Sequence, residues 1–348
     1  MFFASDNAGP AHPSVIEALI RANEGYALPY GAEAAMGDVR RQMRDLFEAP
    51  DAAVFLVATG TAANTIALAT LAEPWSAIFC APMAHIREDE CGAPEFYTGG
   101  AQLTPITAPE GKIDPGALRR EIQRKASFGV RGPQPGPVSI TNATELGTIY
   151  TPDEIATISA VAHEFGLPVY LDGARLANAI AAIGCTPAEM TWKSGVDALS
   201  FGGTKNGLLG VECVVIFDPA KTLEFELRRK RGAHLFSKHR YLSAQMQAYL
   251  TDDLWLGLAH KANDAAAYLA RGLTQAGAHL SYPAEANMIF AKWPRAGHQR
   301  LLDAGAIYGL SRDDLGTGDP ADMIEARLVC DWAATTANTD KFLKLLRG

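Results

Sequence analysis

The 348-residue chain has no uninterrupted run of about twenty apolar residues, so nothing in it reads as a membrane-spanning helix. Its first residues, Met1-Phe2-Phe3-Ala4-Ser5-Asp6, lack the basic segment followed by an apolar one that marks a secretory signal. Cysteine is scarce. The five present (Cys80, Cys91, Cys185, Cys213, Cys330) are odd in number and show no CxxC spacing. That pattern suits free thiols in a reducing cytosol, acting mostly as small buried apolar groups. Positive charge is short as well: 31 Lys and Arg stand against 39 Asp and Glu, a net charge of −8 that argues against a general nucleic-acid binder. Neither GxxxxGK[ST] nor GxGxxG occurs, which weakens nucleotide-loop readings. Internal repeats and low-complexity tracts are absent.

What remains is an ordinary globular composition, 48% hydrophobic and 20% charged, in a chain long enough for a large core and a smaller appended one. Between about residues 50 and 217, short apolar runs alternate with helical segments. Val54–Val57, Ala77–Cys80, Val138–Thr141, Val169–Asp172, Ala198–Phe201 and Val211–Phe217 read as strands. Their nearly continuous apolar character is expected where helices cover both faces of a sheet. After Tyr150, Thr151 reads as an N-cap, Pro152 as the first helical residue and Glu154 as the partner in a capping box. Ile155, Ile158, Val161 and Phe165 fall on one face, and Gly166 gives the stop. Gly129–Pro137, with three glycines and three prolines, reads as a loop. The later part changes character, with helices over Leu242–Gly257 and Ala262–Gly277, strands at Met288–Ala291 and Arg327–Cys330, and a helix at Thr339–Leu346. The expected architecture is α/β: a mostly parallel central sheet with helices on both faces, plus a smaller α+β C-terminal domain. The expected division is an N-terminal arm (1–24), a large domain (25–240) and a small domain (241–348).

Chemistry concentrates at a few points. Lys205 lies in Ser200-Phe201-Gly202-Gly203-Thr204-Lys205-Asn206-Gly207, and Asp172 ends the run Val169-Tyr170-Leu171-Asp172. An amine and an acid delivered from strand ends fit pyridoxal phosphate (PLP): the lysine forms a Schiff base, and the acid keeps the pyridine nitrogen protonated. The glycines around Lys205 are expected to let the cofactor ring approach it. Thr59-Gly60-Thr61-Ala62-Ala63-Asn64 opens an apolar helix after a strand and offers free N–H groups to an anion, although a threonine cap after a glycine turn is often only a cap. Arg175 follows Asp172 and reads either as a brace for it or as a surface cation. His85 reads as an imidazole that stacks on the cofactor and exchanges protons. A metal cluster of His85, Asp89 and Cys91 lacks suitable spacing. The run Arg228-Arg229-Lys230-Arg231, with Lys238 and Arg240, reads either as a solvated face or as cations for a phosphate, and a DNA-binding role for it is disfavoured by the acidic whole.

With these segments in hand, the chain resembles the threonine aldolase group within the β-eliminating lyase family of fold-type-I PLP enzymes. The resemblance runs through Phe3-Ala-Ser-Asp-Asn7, Tyr30-Gly31, Gly60-Thr-Ala-Ala-Asn64, Ala84-His85, Asp89-Glu-Cys-Gly-Ala-Pro-Glu95, Thr144-Glu-Leu-Gly147, Asp172-Gly-Ala-Arg175 and Phe201-Gly-Gly-Thr-Lys-Asn-Gly207. It continues through Ser237-Lys238, Leu242-Ser-Ala244, Glu285-Ala-Asn287 and Ala326-Arg327-Leu-Val-Cys330. It implies Lys205 as the Schiff-base lysine, Asp172 as the pyridine partner and His85 as the stacking group. It also implies a cofactor site that includes Gly60, Thr61, Arg175 and Thr204, with Lys230 or Lys238 reaching the phosphate across a subunit interface. Ser5, Tyr30, Arg175 and Arg327 would meet the substrate, Arg327 as the main carboxylate fork. A cytoplasmic homotetramer with sites at the dimer interface is implied too. One departure stands out: the family commonly has two aspartates after its Tyr-Gly, whereas Ala32 and Glu33 follow Gly31 here.

The expected reaction is retro-aldol cleavage of L-threonine, L-allo-threonine and related β-hydroxy-α-amino acids to glycine and an aldehyde. His85 is the expected base for the β-hydroxyl. The competing readings are an aldolase selective for aromatic substrates such as phenylserine, another PLP lyase of the family, and a non-catalytic PLP-binding regulator. The last would lack the carboxylate fork that Arg327 supplies.

Overall fold

A computed structural model describes residues 1–310 and 315–348 of the chain. Its strands are β1 (Phe2–Phe3), β2 (Ala53–Val57), β3 (Ser76–Cys80), β4 (Gln102–Pro105), β5 (Gln134–Thr141), β6 (Val169–Gly173), β7 (Ala198–Gly202), β8 (Glu212–Ile216), β9 (His279–Leu280), β10 (Met288–Pro294), β11 (Ile307–Tyr308) and β12 (Met323–Val329). Seven of them form one sheet in the order β2-β8-β7-β6-β5-β3-β4, parallel except for the two pairings made by β8. Every residue of β2, β3, β6, β7 and β8 is buried, as the unbroken apolar runs require when both faces are covered. The expected α/β architecture with a mostly parallel sheet is therefore present.

The helix Pro152–Glu164 starts where its sequence says it should. Thr151 Oγ1 accepts from the Glu154 N–H at 3.2 Å, and Glu154 Oε2 accepts from the Thr151 N–H at 2.7 Å. Gly166, at φ +69°, takes the left-handed turn that follows it.

Three readings need correction. β5 begins at Gln134, inside the stretch expected to be a loop. Its prolines are tolerated because β6 joins only from Val138 onward, so the first residues have β3 alone beside them. β4 gave no apolar run because it is an edge strand with mostly outward-facing residues. The later helices break at Thr251–Asp253, where Asp252 and Asp253 both adopt φ +52°, and not between Gly257 and Ala262. Aspartate tolerates that left-handed backbone better than most residues, so helices run over Arg240–Leu250 and Leu254–Gln275.

A second core gathers Phe3, Leu269, Leu273, Trp293, Leu301 and Phe342 against the antiparallel strands β12-β10-β9. The helix Leu254–Gln275 belongs to both cores, with Leu258 in the large one and Leu269 in the small one. β1 pairs in parallel with β11, which ties the N-terminal segment to the second core through Phe3 and Tyr308.

His298 gives this small core a pH signature. Fully buried and stacked on Trp293 at 4.2 Å, it accepts from the Tyr308 hydroxyl at 3.0 Å through Nδ1 and donates to Ile324 O at 3.1 Å through Nε2. Burial holds its pKa down at about 4. Between about 6.5 and 4 the unfolded chain binds a proton that the folded chain refuses, so stability is full above 6.5 and falls toward 4. The loss from this group is at most about 3 kcal/mol. Denaturant midpoints at pH 7 and 4.5 should differ less in His298→Gln, which keeps a donor and an acceptor but does not titrate.

Candidate active site

The C-terminal edge of the parallel strands carries the site. Thr141, Asp172 and Ser200 lie in register there on β5, β6 and β7. Asp172 is 4% exposed; its Oδ1 accepts from the Ala174 N–H at 3.0 Å and its Oδ2 from the Asn64 amide at 2.9 Å. The same Asn64 Nδ2 donates to Glu90 Oε1 at 2.7 Å, while Asn64 Oδ1 accepts from the Tyr170 hydroxyl at 2.7 Å. Glu90 Oε1 also accepts from the His85 Nδ1–H at 2.8 Å. That hydrogen bond is the main reason the His85 pKa is raised, and it leaves Nε2 as the ring nitrogen not engaged by Glu90. The backbone N–H of His85 donates to Glu145 Oε1 at 3.0 Å, and Thr141 Oγ1 donates to the same oxygen at 2.8 Å. Burial pushes the Glu145 carboxyl up from its usual range.

Lys205 sits in the short turn after β7. Its neighbours are fixed: the Gly203 N–H donates to Glu212 Oε2 at 2.8 Å, Thr204 Oγ1 accepts from the Val211 N–H at 3.2 Å, and Asn206 donates to Tyr249 Oη at 2.6 Å and Trp255 O at 2.8 Å. Its own Nζ has no hydrogen-bond or ion-pair partner among the described residues. Burial, then the charge of Arg175, lowers its pKa toward the neutral amine. The glycines beside it are also required by close packing. A Cβ on Gly202 would lie 2.4 Å from Ala174 O, and one on Gly203 would meet Leu208 and Val211 O. Gly202 lets the lysine turn close on the Asp172–Arg175 turn, and Gly203 lets it pack on the return segment Leu208–Val211.

The N-terminal segment supplies a member the sequence reading missed. Asp6, 3% exposed, accepts from Arg175 Nε at 2.7 Å and Nη2 at 2.9 Å, and from Asn287 Nδ2 at 3.0 Å. Burial alone would raise the Asp6 carboxyl, but Arg175 holds it below its usual range. Arg175 is thus paired with Asp6 through Nε and Nη2. Arg327, on β12, keeps a freer guanidinium, with Nη1 3.4 Å from Ala4 O and Nε against the Met288 sulfur. Burial and then Arg175 lower its pKa, and Asp6 and Asp89 act on it as well. Ser5 is occupied as a local cap, its Oγ accepting from the Asn7 N–H at 3.1 Å.

Gly60 and Thr61 open the helix Gly60–Leu71 under the Thr59 cap, and neither N–H has a protein acceptor among the described residues. A Cβ at Gly60 would meet nothing within 4 Å, so this helix start faces open space. A free amine, a strand-end acid and an anion-ready helix start together fit PLP. Tyr30, Lys230 and Lys238 are not brought to this cluster within one chain. Tyr30 is exposed at φ 62° with the Lys230 ammonium 5.0 Å from its ring centre, and Lys238 is exposed. Arg229 turns inward instead, donating to Leu56 O at 3.2 Å over the Phe55 ring. The departing Glu33 anchors its loop, accepting from Ser243 at 2.6 Å and His239 Nδ1 at 2.9 Å.

Comparison with known proteins decides the family. Residues 3–296 match the beta-eliminating lyase family. The chain belongs to the beta-eliminating lyase family. Within it, the chain is 38% identical over 347 residues to the low specificity L-threonine aldolase of Pseudomonas sp. (strain NCIMB 10558), covering 99% of this chain and 97% of the relative. It is also 38% identical to the Pseudomonas aeruginosa low specificity L-threonine aldolase over 331 residues, 95% of this chain and 92% of that one. The Leishmania major threonine aldolase structure superposes with a TM-score of 0.91 at 28% identity, covering 99% and 98% of the two chains. Sphingomonas wittichii serine palmitoyltransferase shares the fold at a TM-score of 0.72 and 16% identity, covering 100% of this chain and 86% of that one. This beta-eliminating lyase therefore has the fold-type-I architecture its sequence led us to expect.

Proposed function

We propose that this chain is a PLP-dependent aldolase that cleaves L-threonine, L-allo-threonine and related β-hydroxy-α-amino acids to glycine and an aldehyde. One observation carries the reading: a half-buried amine with no hydrogen-bond partner among the described residues (Lys205), a strand-end acid (Asp172) and a Glu90-oriented imidazole (His85) lie within electrostatic reach of one another. The low specificity of the Pseudomonas relatives supports a broad substrate range. Lys205 would hold the cofactor covalently, Asp172 its pyridine nitrogen, and Gly60, Thr61 and Thr204 its phosphate end. Bound there, PLP supplies an electron sink for a bond at the substrate α-carbon.

The remaining work falls to the protein. Arg327 takes the substrate carboxylate and sets the rotation of the α-carbon, while Asp6 holds Arg175 beside it as a fixed positive charge. Glu90 keeps the proton of His85 on Nδ1, so Nε2 removes the β-hydroxyl proton. The Cα–Cβ bond breaks, the aldehyde leaves, and a proton returned to Cα gives glycine. A second copy completes the site with Tyr30 and with Lys230 or Lys238. Exposed Ile16, Ile20, Tyr26, Leu28 and Phe236 supply the apolar surface for such an assembly, which we take to be a homotetramer. Five free cysteines suit a cytoplasmic location, and no described helix is long and apolar enough to cross a membrane.

The test is aldehyde release from the four threonine stereoisomers and from phenylserine. Acetaldehyde and glycine from both L-threonine and L-allo-threonine are expected. Benzaldehyde from phenylserine with no acetaldehyde from either would assign the aromatic-selective reading instead. In the same assay His85→Asn should lower kcat by ~10²-fold while PLP still binds, and unchanged turnover would remove His85 from the reaction.

A further inference from the structure

Asn64 lies between the strand-end acid and the carboxylate that holds the imidazole. Its side chain is 2% exposed, and every hydrogen-bonding group on it is used. One Nδ2 hydrogen goes to Asp172, the other to Glu90, and Oδ1 accepts from Tyr170. The opposite orientation would turn Oδ1 against two carboxylates, so the network itself fixes the amide. Tyr170, fully buried two residues before Asp172 on β6, lies on the same face of the strand. We propose that Asn64, held by Tyr170, is a positioning residue that ties Asp172 to the His85–Glu90 pair and sets the proton affinity of His85. The proposal rests on the reading that Asp172 and His85 serve one reaction.

The physical basis is the sign of the amide dipole. Its positive end stands between two acids, and Glu90 Oε1 shares its lone pairs between Asn64 and His85 while Glu90 Oε2 has no partner among the described residues. Without the amide, Glu90 has His85 as its sole donor, and the surroundings of the imidazole become more negative. His85 should then hold its proton more tightly. The other groups acting on His85 are Asp172 and Lys205, with Glu145 on its backbone N–H. None of these is replaced in the variants below. A residue that merely filled space in the helix would change stability and leave this titration alone.

The experiment follows the His85 ring by NMR in holoenzyme and apoenzyme, its signal identified by its loss in His85→Asn. Wild type, Asn64→Ala and Tyr170→Phe are compared. The expected result is a rise in the His85 pKa of about one unit in Asn64→Ala and a smaller rise in Tyr170→Phe. The acidic limb of the kcat/KM profile should move up alongside. Should Asn64→Ala not fold, Tyr170→Phe decides alone, because it removes one hydroxyl. Unmoved His85 titration in folded variants, with only the melting temperature lowered, overturns the proposal. Since the NMR titration involves no substrate, it stands or falls separately from the aldolase reading.

Discussion

Lys205→Ala is expected to abolish covalent cofactor attachment and lower kcat for threonine cleavage by ~10³-fold or more. Lys230 and Lys238 are exposed and lie outside the cluster around Asp172. The fold should survive, because Lys205 Nζ has no hydrogen-bond or ion-pair partner among the described residues and the turn is held by Gly203, Thr204 and Asn206. The measurements are single-turnover and steady-state kinetics, with the melting temperature recorded alongside. Turnover within tenfold of wild type would remove Lys205 from its assigned role.

Asp172→Asn is expected to be the next most damaging change. The variant keeps the volume of the side chain and an oxygen for the Ala174 N–H. It loses the negative charge that would face a protonated pyridine nitrogen in a buried setting. Breaking one side of a buried charge pair costs about 3–5 kcal/mol, and about 1.4 kcal/mol is tenfold in rate. A fall in kcat of ~10²- to 10³-fold follows if that pair matters mainly in the transition state. PLP affinity measured by equilibrium dialysis should weaken as well. Wild-type kcat in Asp172→Asn would mean that the acid only caps its strand.

The sequence was legible where chemistry is local. β2, β3, β6 and β7 announced themselves as short apolar runs, and the Pro152–Glu164 helix through its cap. Lys205 and Asp172 stood out because each follows such a run. What stayed hidden depends on distant partners. Arg175 reads as a free cation until Asp6, 169 positions away, closes on it. Asn64 lay inside a recognised segment but gained meaning only from Glu90 and Asp172, 26 and 108 positions away. Glu90 pairs with His85 across the end of a four-residue helix, which no periodicity reveals. The glycines around Lys205 have a further reason that only coordinates show, since atoms of Ala174, Leu208 and Val211 occupy the space a Cβ would need.

The most direct test reduces the PLP-loaded wild-type enzyme with borohydride and maps the labelled peptide by mass spectrometry. One pyridoxyl group per chain on Lys205 is the predicted result. Label on Lys230, Lys238 or any other lysine, or no label at all, would contradict the assignment of the crevice.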